Sequence, residues 1–132
     1  MVWIAQGRFA IDASGRAGLY VRRIPRKPRE RWRAHKCIYA RLQRAVGKRV
    51  FVVLHYAPIA DTVADEPKEI FPFLGSSRLA EVIDRFDDVA AIVHGHAHLG
   101  PFQGHTPGGK PVYNCAAEVP KDTGRPYALI RV

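Results

Sequence analysis

The chain is poor in sulfur. Two cysteines, Cys37 and Cys115, are spread over 132 residues with no CxxC spacing, which excludes a zinc knuckle or a disulfide framework. A reduced, cytoplasmic setting is therefore expected. Long apolar runs are missing too. No stretch approaches the ~20 residues of a membrane span, and the opening Met1–Ala5 is too short for a signal-peptide core before Arg8. Internal repeats and low-complexity tracts are absent. Acidic residues are scarce in one half only. In residues 1–50, fourteen Lys and Arg face just Asp12 and Glu30, a balance of +12. In residues 51–132, seven face ten acids, a balance of −3. That asymmetry suggests a basic segment appended to a mildly acidic domain. At 47% hydrophobic and 25% charged, the whole has an ordinary globular balance, and its length suits one compact domain.

What is plentiful is histidine in one place. Three of the six histidines fall in Val93-His94-Gly95-His96-Ala97-His98. The motif follows an apolar run, Val89 to Val93, that reads as a buried strand, and Gly95 breaks the strand where the histidines begin. If the strand ran on, His94, His96 and His98 would share a face. If Gly95 opens a turn, His96 and His98 can converge on one point. Either way, rigid backbone would aim neutral imidazoles, as a metal site requires. Upstream, Val50 to Leu54 is continuously apolar and ends in His55, the pattern of a parallel strand buried on both faces. His55 and His96 thus lie at or just past strand ends, the edge where open α/β sheets bind ligands.

The remaining elements follow from local pattern. Residues 1–24 predict a β-hairpin, with Trp3 to Ile11 and Leu19 to Ile24 as arms and Asp12-Ala13-Ser14-Gly15 as the turn. Pro25 and Pro28 bracket a basic linker. Glu30 to Val46 predicts a helix whose apolar stripe is Ala34, Ile38, Leu42 and Ala45, with Gly47 as C-terminal cap. Pro58 to Pro72 is a long loop holding Asp61, Asp65, Glu66 and Glu69. Gly75-Ser76-Ser77 caps a helix with Leu79, Val82, Ile83 and Phe86 on one face. Phe102 to His105 and Val112 to Cys115 predict strands around Pro107-Gly108-Gly109-Lys110, and Tyr127 to Val132 a last strand. The order β–α–β–α–β–β–β predicts an α/β fold.

These residues carry a resemblance. His55 at a strand end, followed by a strand ending in Gly95-His96-Ala97-His98, resembles the last two motif blocks of the calcineurin-like metallophosphoesterases. The similarity runs from about Val50 to Val132. It includes Leu54-His55-Tyr56-Ala57-Pro58-Ile59, Phe73-Leu74-Gly75-Ser76-Ser77-Arg78-Leu79 and Pro111-Val112-Tyr113-Asn114. The family also has Asp-x-His, Gly-Asp and Gly-Asn-His blocks N-terminal to these. Residues 1–49 hold none; their acids are Asp12 and Glu30 and their one histidine is His35. The resemblance thus implies half of an α/β/β/α sandwich, with parallel core strands and a C-terminal antiparallel meander. The expected division is 1–28, a basic N-terminal hairpin and linker, and 29–132, a truncated metallophosphoesterase-like domain. It implies His55 and His96 as ligands of one metal and His98 as a ligand of its neighbour. Metal-activated water would hydrolyse a phosphodiester or phosphomonoester, although no catalytic acid is identified.

Other roles follow from residue type. All-imidazole ligation leans toward Zn or Ni, with Mn or Fe as further candidates. His94 and Gly95 are expected behind the ligands rather than among them. Ser76, Ser77 and Arg78 are candidates for holding a phosphate at a helix N-terminus, beside the blander reading as a helix cap. An acid of the 61–69 segment could supply the missing carboxylate. His105 is expected at the surface, and Asn114 and Cys115 in the core. Arg22, Arg23, Arg26, Lys27, Arg29, Arg31, Arg33 and Lys36 put eight cations in fifteen residues, with Trp32 and Tyr39 nearby to stack on bases. The alternative function is accordingly a catalytically impaired metal-binding remnant that binds nucleic acid or a partner. Helices 30–46 and 78–86 cover one sheet face, which leaves the other in water and predicts a homodimer.

Overall fold

The computed structural model describes residues 18–21, 28–119 and 130. A strand β1 (Gly18–Val21) leads through helix α1 (Pro28–Arg44) to strand β2 (Val50–Leu54). The 58–72 loop holds two short 3-10 turns, Asp61–Val63 and Lys68–Ile70, and runs into a one-turn helix α2 (Phe71–Leu74). Helix α3 (Ser77–Ile83), β3 (Val89–His94), β4 (Gln103–His105) and β5 (Pro111–Asn114) complete the order. The protein is α/β, as its alternating pattern predicts.

The five strands form one mixed sheet in the order β1-β2-β3-β5-β4. β1, β2, β3 and β5 are parallel, and β4 pairs antiparallel with β5 at the edge. Two expectations change here. The predicted second arm of the N-terminal hairpin is instead a strand running parallel to β2, with Leu19 opposite Val52. Its first arm, the turn 12–15 and the last strand 127–132 lie outside the described residues. The C-terminal strands also do not run as a sequential meander. β5 inserts beside β3, which aligns Val52, Ile92 and Val112 in one apolar row across three strands. β4 is left at the rim, where its exposed Gln103 and His105 suit an edge strand.

One face of the sheet carries the main core. Ile38 and Leu42 of α1 and Leu79 and Ile83 of α3 pack with Val50, Val52, Leu54, Ile92 and Val112, all buried. At ~25 cal/mol per Å², each such side chain contributes about 1.5–3 kcal/mol. Spacing of four residues sets both helical stripes. Gly47, at φ +80, turns the chain out of the α1 region, and its N–H donates to Asp88 at 2.8 Å. The opposite face, expected to be open to water, is largely covered: Val53, Ala91 and Val93 are 4%, 0% and 5% exposed within a single chain, while Phe51 and Tyr113 on the same face are half-buried.

A second apolar cluster, Ala57, Val63, Leu74 and Ala97 with Phe71 against it, lies under the loop beyond β2. Its anchor is a bridge in which Ala57 and Gly75 pair in parallel fashion. Ala57 donates to the Leu74 carbonyl and accepts from the Ser76 N–H. The approach is close enough to demand glycine, because a Cβ at residue 75 would sit 2.1 Å from the Ala57 carbonyl oxygen.

Candidate functional site

The parallel strands end at a common edge, so β2, β3 and β5 deliver His55, the 95–100 turn and Cys115 to the same side of the sheet. Cys115 donates its N–H to the His94 carbonyl at 2.7 Å. The strand β3 stops at His94, and Gly95 does begin a turn, but the unusual backbone belongs to its neighbour. His96 has φ +71, the one non-glycine positive φ among the described residues. The Ala97 N–H donates to the Gly95 carbonyl at 2.9 Å, closing a three-residue γ-turn around His96. At Gly95 itself an added Cβ meets nothing within 4 Å. A side chain at this rare φ costs about 1–3 kcal/mol and persists only where its surroundings hold it.

Those surroundings are a buried polar knot. His94, 0% exposed, has Nδ1 at 3.0 Å from the Gly95 carbonyl oxygen and Nε2 at 2.7 Å from Thr62 Oγ1. The carbonyl can only accept, so Nδ1 carries the proton and the Thr62 hydroxyl donates to Nε2. The Gly95 oxygen therefore accepts twice, from the His94 ring and from the Ala97 N–H. Asn114, also fully buried, donates through Nδ2 to the carbonyls of Thr62 and Ala97, each at 3.1 Å. Its Oδ1 accepts the Ala116 N–H. Burial drives the His94 pKa down to about 4, aided by nearby His96 and opposed by the Gly95 carbonyl bond. His94 is thus a buried neutral imidazole hydrogen-bonded to Thr62 and to the Gly95 carbonyl.

The turn presents the His96 ring to His55. Their ring centroids are 4.5 Å apart at an interplanar angle of 39°. Tyr56 stands edge-on to both, 4.7 Å from His55 and 5.0 Å from His96. Burial and the proximity of His96 lower the His55 pKa. His55, Tyr56 and His96 thus form a cluster at the carboxyl edge, and both histidines are solvent-accessible.

His98 has different company. Its ring lies 3.9 Å from a Glu118 carboxylate oxygen, both side chains being more than half exposed. Its backbone N–H and that of Leu99 donate to Glu66 Oε1 at 2.7 and 3.0 Å. So Glu66, a candidate carboxylate of the long loop, binds backbone amides. Among the described residues, no group of three or more His, Cys, Asp or Glu is disposed to hold a metal ion. Two imidazoles fit the nitrogen preference of Zn or Ni. They fall one short of the three protein ligands usual at a hydrolytic zinc site. Ser76 is the N-cap of α3, a helix of seven residues that Ser77 and Arg78 begin, and its side chain makes no cap hydrogen bond. The basic residues 22–33 lie where no side chain is described.

Tyr56, Thr62, Glu66 and Asn114 acquire their roles here only through the fold. One signal was local: Tyr56 directly follows His55. The others, apart from the Ala116 N–H on Asn114, act from 17 to 52 residues away from their partners. No family model, curated protein or solved structure matches the chain.

Proposed function

We propose that the chain is a metal-binding domain of metallophosphoesterase type, in which His55 and His96 take a divalent transition ion at the carboxyl edge of the sheet. The observation that carries this reading is the 4.5 Å approach of two imidazoles from the ends of adjacent parallel strands, one of them held in a left-handed turn. Zn and Ni are the preferred ions, ahead of Fe and Mn. When bound, such an ion polarises a phosphoryl oxygen and acidifies water, which is the chemistry of phosphoester hydrolysis. The chain's own residues orient the two imidazoles and flank them with Tyr56. The two nitrogens found among the described residues do not make a complete hydrolytic site, so its completion requires ligands from outside them. Two copies supply four imidazoles, a tetrahedral set. The proposed homodimer rests on that ligand count, since the sheet face that also argued for it is largely covered within one chain.

Metal content of the purified protein, with Zn(II) and Ni(II) titrations, tests the reading. Uptake is expected in the wild type and lost in His55→Ala and His96→Ala; identical stoichiometry in all three rejects it. Hydrolysis of an activated phosphodiester by the metal-loaded protein separates an enzyme from a binding domain.

A second reading is a remnant without turnover that binds nucleic acid. It is favoured by the +12 balance of residues 1–50 and by the lack, among the described residues, of a third ligand beside the pair. Affinity would then fall steeply with salt and ignore base sequence, because each phosphate contact releases counterion. Helix α1 contributes Ile38 and Leu42 to the core, so charge reversal at Arg22, Arg23 and Arg26 is a better probe than truncation. Unchanged binding in that variant removes the reading.

A further inference from the structure

The loop after β2 and the histidine turn are joined by one side chain. Glu66 Oε1 accepts the N–H groups of His98 at 2.7 Å and Leu99 at 3.0 Å, across a separation of more than thirty residues. Two consecutive amides converging on one anionic oxygen form a backbone nest, with the chain itself supplying the anion. These amides begin the segment that leaves the γ-turn at His96. On the near side, that turn is tied by His94 to the Gly95 carbonyl and by Asn114 to the Ala97 carbonyl. On the far side, the tie is Glu66. Gly100, at φ +122, follows immediately and passes so close to Thr62 that a Cβ would sit 2.6 Å from its carbonyl oxygen. The turn is therefore clamped between the sheet end and the 58–66 loop at both ends. A non-glycine residue at φ +71 persists only where its surroundings hold it, and here the hold comes from both ends of the turn.

We infer that Glu66 is a positioning residue: through the His98 and Leu99 amides it keeps the His96 turn closed and the His96 ring against His55. Its carboxylate serves the site by holding backbone, not by ligating. The consequence for metal affinity rests on His55 and His96 being a metal-binding pair; the placement of the ring does not.

Nuclear Overhauser contacts between the ring protons of His55 and His96 report the placement without any metal. They are measured on the full chain as wild type, Glu66→Gln, Glu66→Asp and Glu66→Ala, together with amide dispersion and Ni(II) titrations. The contact is expected in the wild type and in Glu66→Gln, which keeps an acceptor oxygen in place. It is expected to weaken in Glu66→Asp, which keeps the charge but withdraws it by one methylene, and to vanish in Glu66→Ala. Ni(II) affinity should fall about 10- to 100-fold in Glu66→Ala and stay near wild type in Glu66→Gln. A folded Glu66→Ala chain that keeps both the ring contact and the affinity overturns the inference, as does a wild type without the contact. If Glu66→Ala does not fold, an undiminished contact in Glu66→Asp overturns it. A wild type that shows the contact but takes up no Ni(II) rejects the metal-binding pair, while the contacts in the variants still decide the role of Glu66.

Discussion

At the scale of the residue, the strained position coincides with one proposed to bind metal. His96 carries φ +71, and its ring is the one presented to His55. Replacing His96 by glycine removes the Cβ penalty at the cost of added backbone freedom. His96→Gly is therefore expected to stabilise the fold by about 0.5–1 kcal/mol while losing metal uptake, read from urea unfolding and Zn(II) titration. A destabilised variant would show that the ring itself holds the turn. His94 sets a pH dependence. Its folded pKa of about 4 lies below the ordinary 6.5, so the unfolded chain takes the proton first as pH falls. The stability gained by keeping it neutral is complete above pH 6.5, declines between 6.5 and 4, and is exhausted below. From about pH 7 to about pH 5 the loss should be on the order of 2 kcal/mol, with His55 acting in the same direction. Urea unfolding at the two pH values checks this, and equal stabilities would contradict it.

At the scale of the element, two glycines that look alike in the sequence should behave differently. Gly75 lets α2 dock on the chain beyond β2, with no room for a Cβ next to the Ala57 carbonyl. Gly75→Ala is expected to cost about 1–3 kcal/mol, because backbone rather than a flexible side chain must move. Gly95 opens the histidine turn yet has free space around it, so Gly95→Ala should stay within about 0.5 kcal/mol of wild type. Urea midpoints of the two variants check the contrast, and equal losses would mean that the turn and not the bridge limits packing. The β4–β5 hairpin is secured similarly by one side chain. Asp84, just past α3, accepts the Thr106 hydroxyl and the Gly108 N–H, while the Thr106 oxygen accepts the Lys110 N–H.

At the scale of the whole molecule, the question is whether one copy suffices. The sheet no longer asks for a second copy, since Val53, Ala91 and Val93 are buried within the chain. The proposed metal site still does, because the described residues give it two imidazoles. Association is expected to depend on metal: sedimentation at micromolar concentration should show the 14.8 kDa chain without metal and twice that mass with Zn(II). His55→Ala should stay monomeric in both conditions. A wild type of unchanged mass with Zn(II) bound would show that one copy completes its own site.

Local pattern by itself determined the alternation of helices and parallel strands, the Ile38 and Leu42 stripe, the apolar strands ending at His55 and His94, and a break at Gly95. Each is legible because periodicity and breakers act over a few residues. The tertiary structure decided the rest. β1 beside β2, and β5 rather than β4 beside β3, are long-range pairings that align Val52, Ile92 and Val112 and leave the polar β4 at the rim. The positive φ fell on His96 instead of Gly95 because the Gly95 carbonyl is held by His94 and Ala97. Glu66, Thr62 and Asn114 read as loop or core residues in the sequence. Apart from the Ala116 N–H on Asn114, their hydrogen-bond partners lie 17 to 52 residues away and come within reach only when the parallel strands deliver their ends to one edge.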